Sequence, residues 1–468
     1  MSNPDLFESL LVRIQLVIPL LLAALFLPMN AVAIDPFSTE DQLKYGRLDQ
    51  SVDVNHCAKE KISTPLTLAD VVDLALCNNP QTRSLWASAR GQAAQVGVST
   101  AAYLPTLSAS GSVANNQTQT GSQNPINSVS QNASLSASYL LYDFGGRSAT
   151  LENAKQLLIA ANATRDATLQ SNFLTAIQAY YALLSARASV ESFKVDEAKA
   201  QESLAAAQAR YQAGVATPVD RLQAQTTLSQ AKLNRIKGEG DATNAQGALA
   251  NIMGFDASQQ YTLQPLADVT PDQVIEQDIG KLIADARLKR PDLAAAESQI
   301  KAAEAQLQAS NATGRPTITA GAMAGITNPE IKSNSIGITL SVPLFSGFKT
   351  HYQARAAEAQ IEGKIAERDR LANQIALDVW KAYQGMLTNS QALRSADDLV
   401  IAATQSEQMI LGRYKAGVGN ILDTLTAQSA LANARQQRVA AFYNFLISRF
   451  ALAQAIGQLD LTQLSSQN

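Results

Sequence analysis

The chain has 468 residues, 46% hydrophobic but only 6% aromatic, so bulky core material is thin for its length and one large globular core is not expected. Its 37 lysines and arginines nearly balance 40 aspartates and glutamates, leaving a net charge of -3 and no basic cluster. That balance argues against a nucleic-acid partner, whose phosphates call for concentrated positive charge.

Residues 1–33 read as a secretory signal, apolar from Ile14 to Leu27, broken by Pro19, with cleavage expected after Ala31-Val32-Ala33. Asp5 and Glu8 offset Arg13 ahead of the apolar run, so an uncleaved membrane anchor is the alternative. No later stretch reads as apolar enough to cross a bilayer as a helix, which leaves any further membrane contact to strands. A tail over residues 34–67 carries Cys57, and Cys77 follows in the first predicted helix. In an exported chain this pair most simply forms one disulfide, with two buried thiols as the alternative.

From Leu68 onward the chain is written twice. Arg210 to Gly254 aligns without a gap on Arg413 to Gly457, with identities at Leu222/Leu425, Ala224-Gln225/Ala427-Gln428 and Ala248-Leu249/Ala451-Leu452. Upstream, Pro80 and Pro105-Thr106 match Pro291 and Pro316-Thr317. The repeats therefore span 68–254 and 279–457, with a proline-bearing connector over 255–278 and a tail over 458–468.

In each repeat a helix ends at Pro105 or Pro316 and two alternating segments follow, predicting β-hairpins over 105–143 and 316–345. In SIGITLSV, Ile336, Ile338, Leu340 and Val342 alternate with serine, glycine and threonine; TITAGAMAGI, ASLSASYLLY and TLSASGSV behave alike. A half-buried hairpin in a soluble sheet has the same pattern. The polar run NNQTQTGSQNPIN is expected as an exposed loop at a hairpin tip. Tyr103, Tyr139, Tyr142, Phe144, Phe345 and Phe348 gather at the strand ends, where outer-membrane barrels carry aromatic girdles. An open sheet edge in lipid leaves unpaired backbone groups at several kcal/mol each, so a membrane location would make oligomerisation compulsory.

Long helical hairpins are predicted over 147–254 and 349–457. Ser148 to Ala213 contains no glycine or proline and is rich in helix formers, a reach on the order of 100 Å. Leu151, Ala154, Leu158 and Ala161 recur at three-to-four spacing, so the helix wants partners. A soluble coiled-coil rod would contain the same helices.

The helices reverse at RYQAGVATPVD, Arg210 to Asp220, and at RYKAGVGNILD, Arg413 to Asp423. Gly214 and Gly417 suit the left-handed residue past a helix end, and Arg210 and Arg413 complement the last turn's dipole. Thr217 and Asn420 are candidate caps of the returning helices, with Asp220 and Asp423 at the third position of a variant capping box.

With these joints, and with LYDFGGR (Leu141 to Arg147) and PLFSGFK (Pro343 to Lys349) at the strand-to-helix turns, the chain resembles the TolC family of bacterial outer-membrane efflux and secretion ducts. The resemblance runs from Leu68 to Gly457. It implies a mainly α fold with a membrane β-barrel: three chains building a twelve-stranded barrel and a long α-barrel across the periplasm. It further implies a homotrimer in outer-membrane lipid, partnered by a periplasmic adaptor and an inner-membrane pump or ABC transporter.

By matching positions, Arg210, Tyr211, Gly214, Val215, Arg413, Tyr414, Gly417 and Val418 would form adaptor-contacting tip turns, and Asp220 and Asp423 would stand near the constriction. Where some members have a second aspartate and a basic latch residue, this chain has Thr426 and Gly419, which leaves a single acidic ring of Asp423. Enzyme chemistry has little support: the two histidines, His56 and His351, lack metal-ligand company, and no phosphate loop, nucleophile elbow or dinucleotide fingerprint is found. No catalytic residue, cofactor or metal is therefore expected. The alternative reading, a periplasmic coiled-coil scaffold or adaptor, accounts only for the helices.

Overall fold

The computed structural model describes residues 35–43, 65–119, 121, 125–264, 278–328 and 331–459. The expected signal sequence, His56 and Cys57 lie outside the described residues. After a 3-10 turn at Glu40–Gln42 come α1 (Leu68–Asn78), α2 (Pro80–Ala101), β1 (Thr106–Thr118), β2 (Ile126–Tyr142), α3 (Gly146–Gln212) and α4 (Pro218–Ile252). The same order returns as α5 (Ile279–Lys289), α6 (Pro291–Ala312), β3 (Thr317–Thr327), β4 (Ile331–Ser341), α7 (Lys349–Lys415) and α8 (Ile421–Ile456).

Local chemistry sets these boundaries. Thr67 and Asp70 form a reciprocal capping box at the start of α1, and Asn79 caps α2, whose first residue, Pro80, has no N–H to leave unsatisfied. The disulfide-bonded Cys77 is half-buried near the end of α1. α3 and α7 each run 67 residues, about 100 Å at the standard rise. Such helices are held by packing rather than propensity. α3 lies against α2, α4, α6 and α8, and α7 against α6 and α8.

Among the described residues, four separate clusters replace a single core. The largest gathers Phe173, Tyr180, Tyr181, Met253, Phe445 and Phe450 where α1, α3, α4 and α8 meet. The second repeat has a smaller counterpart around Leu282, Ile375, Val379 and Ile456. Near the strands, Ala89, Ala93 and Val96 meet Ala154 and Leu158; at the far end, alanines and leucines of α3 and α4 enclose Tyr414, Ile421 and Leu425. One expectation fails at α8, which contains a window of mean hydropathy 1.4, long and apolar enough to cross a membrane by length and composition. Part of that window, 39%, is buried, and Phe445, Leu446, Phe450 and Leu452 of this helix sit in the two middle clusters.

The strands form one antiparallel sheet in the order β1-β2-β3-β4. β1 and β2 are longer than their alternating stretches: NNQT continues β1 to Thr118 and Ile126 already opens β2, shortening the expected loop. The polar extension persists because its side chains pair across the ladder, as Asn116 Nδ2 does with Ser130 Oγ at 3.2 Å. Leu107, Val113, Leu135, Ile336, Ile338 and Leu340 are all exposed on one face. The other face carries small hydroxyls, with Ser108–Ser136 and Ser110–Ser134 contacts of 2.7 Å. β1 and β4 are edges with no partner strand among the described residues.

The strand-to-helix turns use two consecutive left-handed residues in each repeat: Phe144 (φ 53°) with Gly145 (φ 96°), and Gly347 (φ 62°) with Phe348 (φ 64°). A phenylalanine there costs about 1–2 kcal/mol. Edge-to-face stacking of Phe144 on Tyr142 at 4.6 Å and of Phe348 on Phe345 at 5.6 Å offsets part of it.

Candidate functional site

The ends of α3 and α7 farthest from the sheet carry the two joints, and their shared motif has a backbone explanation. Val215 N–H donates to Arg210 C=O at 3.0 Å and Gly214 N–H to Tyr211 C=O at 3.0 Å, while Val418 and Gly417 do the same to Arg413 and Tyr414, both at 3.1 Å. These are Schellman closures, and they require the left-handed residue that Gly214 (φ 74°) and Gly417 (φ 82°) supply. The valines that follow are exposed, together with Val219, Leu222 and Leu422, which leaves an apolar rim on the tip.

The returning helices start differently. Thr217 and Asp220 form a complete capping box, with Thr217 N–H donating to Asp220 Oδ2 at 2.9 Å. In the second joint Asn420 Oδ1 accepts from Leu422 N–H at 2.8 Å, so no box forms there. Asp423 is left exposed, without a hydrogen-bond or ion-pair partner among the described residues, whereas Asp220 is half-buried and engaged. Two carboxylates at matching sequence positions are thus in different chemical states of use.

A contact not anticipated from sequence joins the two tips. Arg210 lies over the Tyr414 ring, 4.8 Å from its centroid, and donates to the Tyr414 carbonyl at 2.9 Å. Tyr414 is buried, its hydroxyl has no hydrogen-bond partner among the described residues, and burial pushes its pKa up, with Arg210 opposing. Arg221 lies over Tyr211 at 5.3 Å and Lys415 pairs with Glu202 at 3.1 Å. The repeated Arg-Tyr pair was the available signal, but its cross-repeat pairing is not local in sequence.

Along the same seam, Ser203 donates to Gln428 at 3.0 Å, Lys199 pairs with the buried Glu407 at 3.0 Å, and Arg435 pairs with Asp196 at 3.2 Å. Arg210, Ser203, Lys199 and Asp196 share one face of α3 by their three-to-seven spacing. The tip is therefore a polar seam capped by an apolar rim and one free carboxylate. Among the described residues no group of histidine, cysteine, aspartate and glutamate is arranged to hold a metal ion.

Comparison with known proteins fits this architecture. The model of the family described as outer membrane efflux protein matches residues 71–255 and 282–458, one match in each repeat. The chain is 29% identical over 404 residues to protein CyaE of Bordetella pertussis, covering 84% of each chain. It is 25% identical over 410 residues to outer membrane protein TolC of Vibrio cholerae, covering 84% of this chain and 91% of that one. The solved outer-membrane channel OprN superposes with a TM-score of 0.75 at 20% identity, over 84% of this chain and 90% of that chain. The chain belongs to the outer membrane efflux protein family: it is an outer-membrane channel reaching into the periplasm, and not an enzyme.

Proposed function

We propose that three copies of this chain form a passive exit duct for an efflux pump or type I secretion system, gated at the helical tip. The observation that carries this reading is the sheet: β1 and β4 are edges with no partner strand among the described residues, and they flank strands whose apolar row is exposed, Ile336 in the middle of β4 by 89%. Alone in lipid, those edges would strand their backbone N–H and C=O groups; closing β4 of one copy on β1 of the next removes both edges. Aromatic residues at the helix-proximal strand ends then lie at a membrane boundary.

The remaining assignments follow from that assembly. The repeat units 68–254 and 279–457 each supply one β-hairpin and one helical hairpin to the duct. The tip turns, with Gly214, Val215, Gly417 and Val418 at their apexes and Arg210, Tyr211, Arg413 and Tyr414 beneath, contact a periplasmic adaptor, which joins the duct to an inner-membrane pump or ABC transporter. Asp423, and behind it Asp220, faces the constriction. Cargo choice rests with the pump, because a wide duct with one narrow end selects little.

The test is extraction of membranes in detergent and comparison of unheated with boiled samples on a denaturing gel. A heat-sensitive trimer is expected. A monomer released from cells without detergent overturns the reading. For the adaptor, a photocrosslinking residue at Val215 or Val418 should capture a periplasmic partner, and persistence of transport after bulky replacement of both Gly214 and Gly417 reduces the joints to turns.

A further inference from the structure

A cavity of about 460 Å³ opens between α3, α4 and α8, midway along α3, a volume suited to a small organic molecule. Tyr181 and Phe193 of α3 and Tyr443 of α8 line it, with the two tyrosine rings inclined by 43° and their centroids 6.3 Å apart. Asp241 of α4 is the only charged residue in the lining; it is exposed and has no hydrogen-bond or ion-pair partner among the described residues. Gln436 of α8 reaches across to α3, its Nε2 donating to the Ser189 carbonyl at 3.3 Å.

Helix packing does not demand these rings. At the matching positions of the other repeat, Gln384, Ala396 and Gly240 stand for Tyr181, Phe193 and Tyr443, and Asn444 stands for Asp241. Phe193 belongs to none of the four apolar clusters, yet room is made for it: a Cβ on Gly238 would come within 2.8 Å of its ring. Where α3 and α4 set phenylalanine on glycine, α7 and α8 have Ala396 and Ala441. The ring is thereby seated on bare backbone of α4 and held half-buried at the cavity wall.

α1 packs over the face of α3 that carries Phe173, Ile177, Tyr180 and Leu184. Ala182, Ala186, Ser189 and Phe193 lie about half a helical turn away, on the opposite face. A tube wall one helix thick takes an added helix only on its outside, so in the duct proposed above the cavity opens inward.

We propose that this cavity is a wall site for a lipophilic organic cation. The three rings receive its apolar groups and present their negative faces to its charge, and Asp241 at the rim sets the preference for positive sign. The binding stands on the cavity alone; only its inward opening rests on the duct reading. Such a site holds passing cations without excluding other cargo, which leaves cargo choice with the pump.

Tetraphenylphosphonium and tetraphenylborate, matched in size and opposite in charge, are the probes. Equilibrium dialysis against the detergent-solubilised assembly should show saturable binding of tetraphenylphosphonium and not of tetraphenylborate. Phe193→Ala or Tyr443→Ala should weaken binding about tenfold. Asp241→Asn, an exposed change that spares the packing, should weaken it roughly threefold. No saturable binding, equal binding of the two probes, or binding that none of these variants weakens overturns the site. In planar bilayers tetraphenylphosphonium should reduce the current of the parent at lower concentration than that of Phe193→Ala. Saturable binding with an unchanged current overturns the inward opening, whereas an unsubstituted protein that neither trimerises nor conducts overturns the duct reading and leaves the dialysis to decide the site.

Discussion

Arg210 covers Tyr414 across the internal repeat: one guanidinium stacks on the ring at 4.8 Å and donates to the same residue's carbonyl at 2.9 Å. That carbonyl already accepts from Gly417 N–H at 3.1 Å in the closure of α7, and Arg210 adds a second, charged donor at the negative end of the helix. Arg210→Ala should remove about 1–3 kcal/mol of local stability at the second joint. Hydrogen exchange is the measurement: amides from Tyr414 to Leu425 should exchange faster while those of α1 do not change. Arg210→Lys should recover less than half of the protection, since an ammonium lacks the planar face. Unchanged exchange in the alanine variant would show that the contact carries no weight.

Gly419 meets a different constraint from Gly417. A Cβ on Gly419 would come within 2.7 Å of Tyr414 N and 3.0 Å of the Arg413 carbonyl carbon, both backbone atoms of the helix closure. Gly417 has open space around it, and only its left-handed backbone, φ 82°, resists a side chain, at about 1–2 kcal/mol. Gly419→Ala should therefore open the joint more than Gly417→Ala, read as faster tryptic cleavage after Arg413 and Lys415. Equal cleavage in the two variants would count against this account. The same crowding gives a physical reason for the absence of a basic side chain at this position.

Much of the fold was legible because its signals are local. Breaker-free stretches marked the long helices, alternation marked the strands, and glycine followed by a capping residue marked both reversals. What could not be read depends on partners distant in sequence. Identical Arg-Tyr pairs gave no hint that Tyr414 is buried and Tyr211 exposed, because that difference lies in which helix covers each ring. NNQT read as loop because its polar side chains find partners only across the ladder. At the candidate site, the sequence marked Asp220 and Asp423 as equivalents; the difference between Thr217 and Asn420 as caps separates them.

Asp196 gives a pH dependence of defined sign. Burial is the largest influence on it and raises its pKa above 3.8, while Arg435 and Lys199, the cations facing it, oppose; one of its oxygens is buried without a hydrogen-bond partner. A folded-state pKa above the unfolded value means that the protonated form favours folding. This contribution is fully present below about pH 3.8 and is lost as pH rises through the folded pKa. Asp196→Asn, neutral throughout, should gain on the parent as pH rises from acid to neutral. The readout is the temperature at which the detergent-solubilised assembly dissociates, compared at both ends of that range; a difference that moves in the parent's favour contradicts the assignment.

Asp423 and Asp220 separate a pore charge from a structural one. Asp220 is committed to the Thr217 box, so Asp220→Asn should weaken the start of α4 by about 0.5–2 kcal/mol and leave ion selectivity nearly unchanged. Asp423 is exposed and unpaired, and if three copies face a narrow opening their like charges concentrate cations there. Asp423→Ala should lower cation preference and relieve block by divalent cations in planar bilayers. The effect should be large near 10 mM salt, where the screening length is about 30 Å, and nearly absent near 1 M, where it is about 3 Å. A change that persists undiminished at high salt would point to altered pore shape instead of lost charge, and equal effects at the two aspartates would remove the distinction between them. The salt series therefore decides whether the free carboxylate acts through its field or through the fold of the joint that carries it.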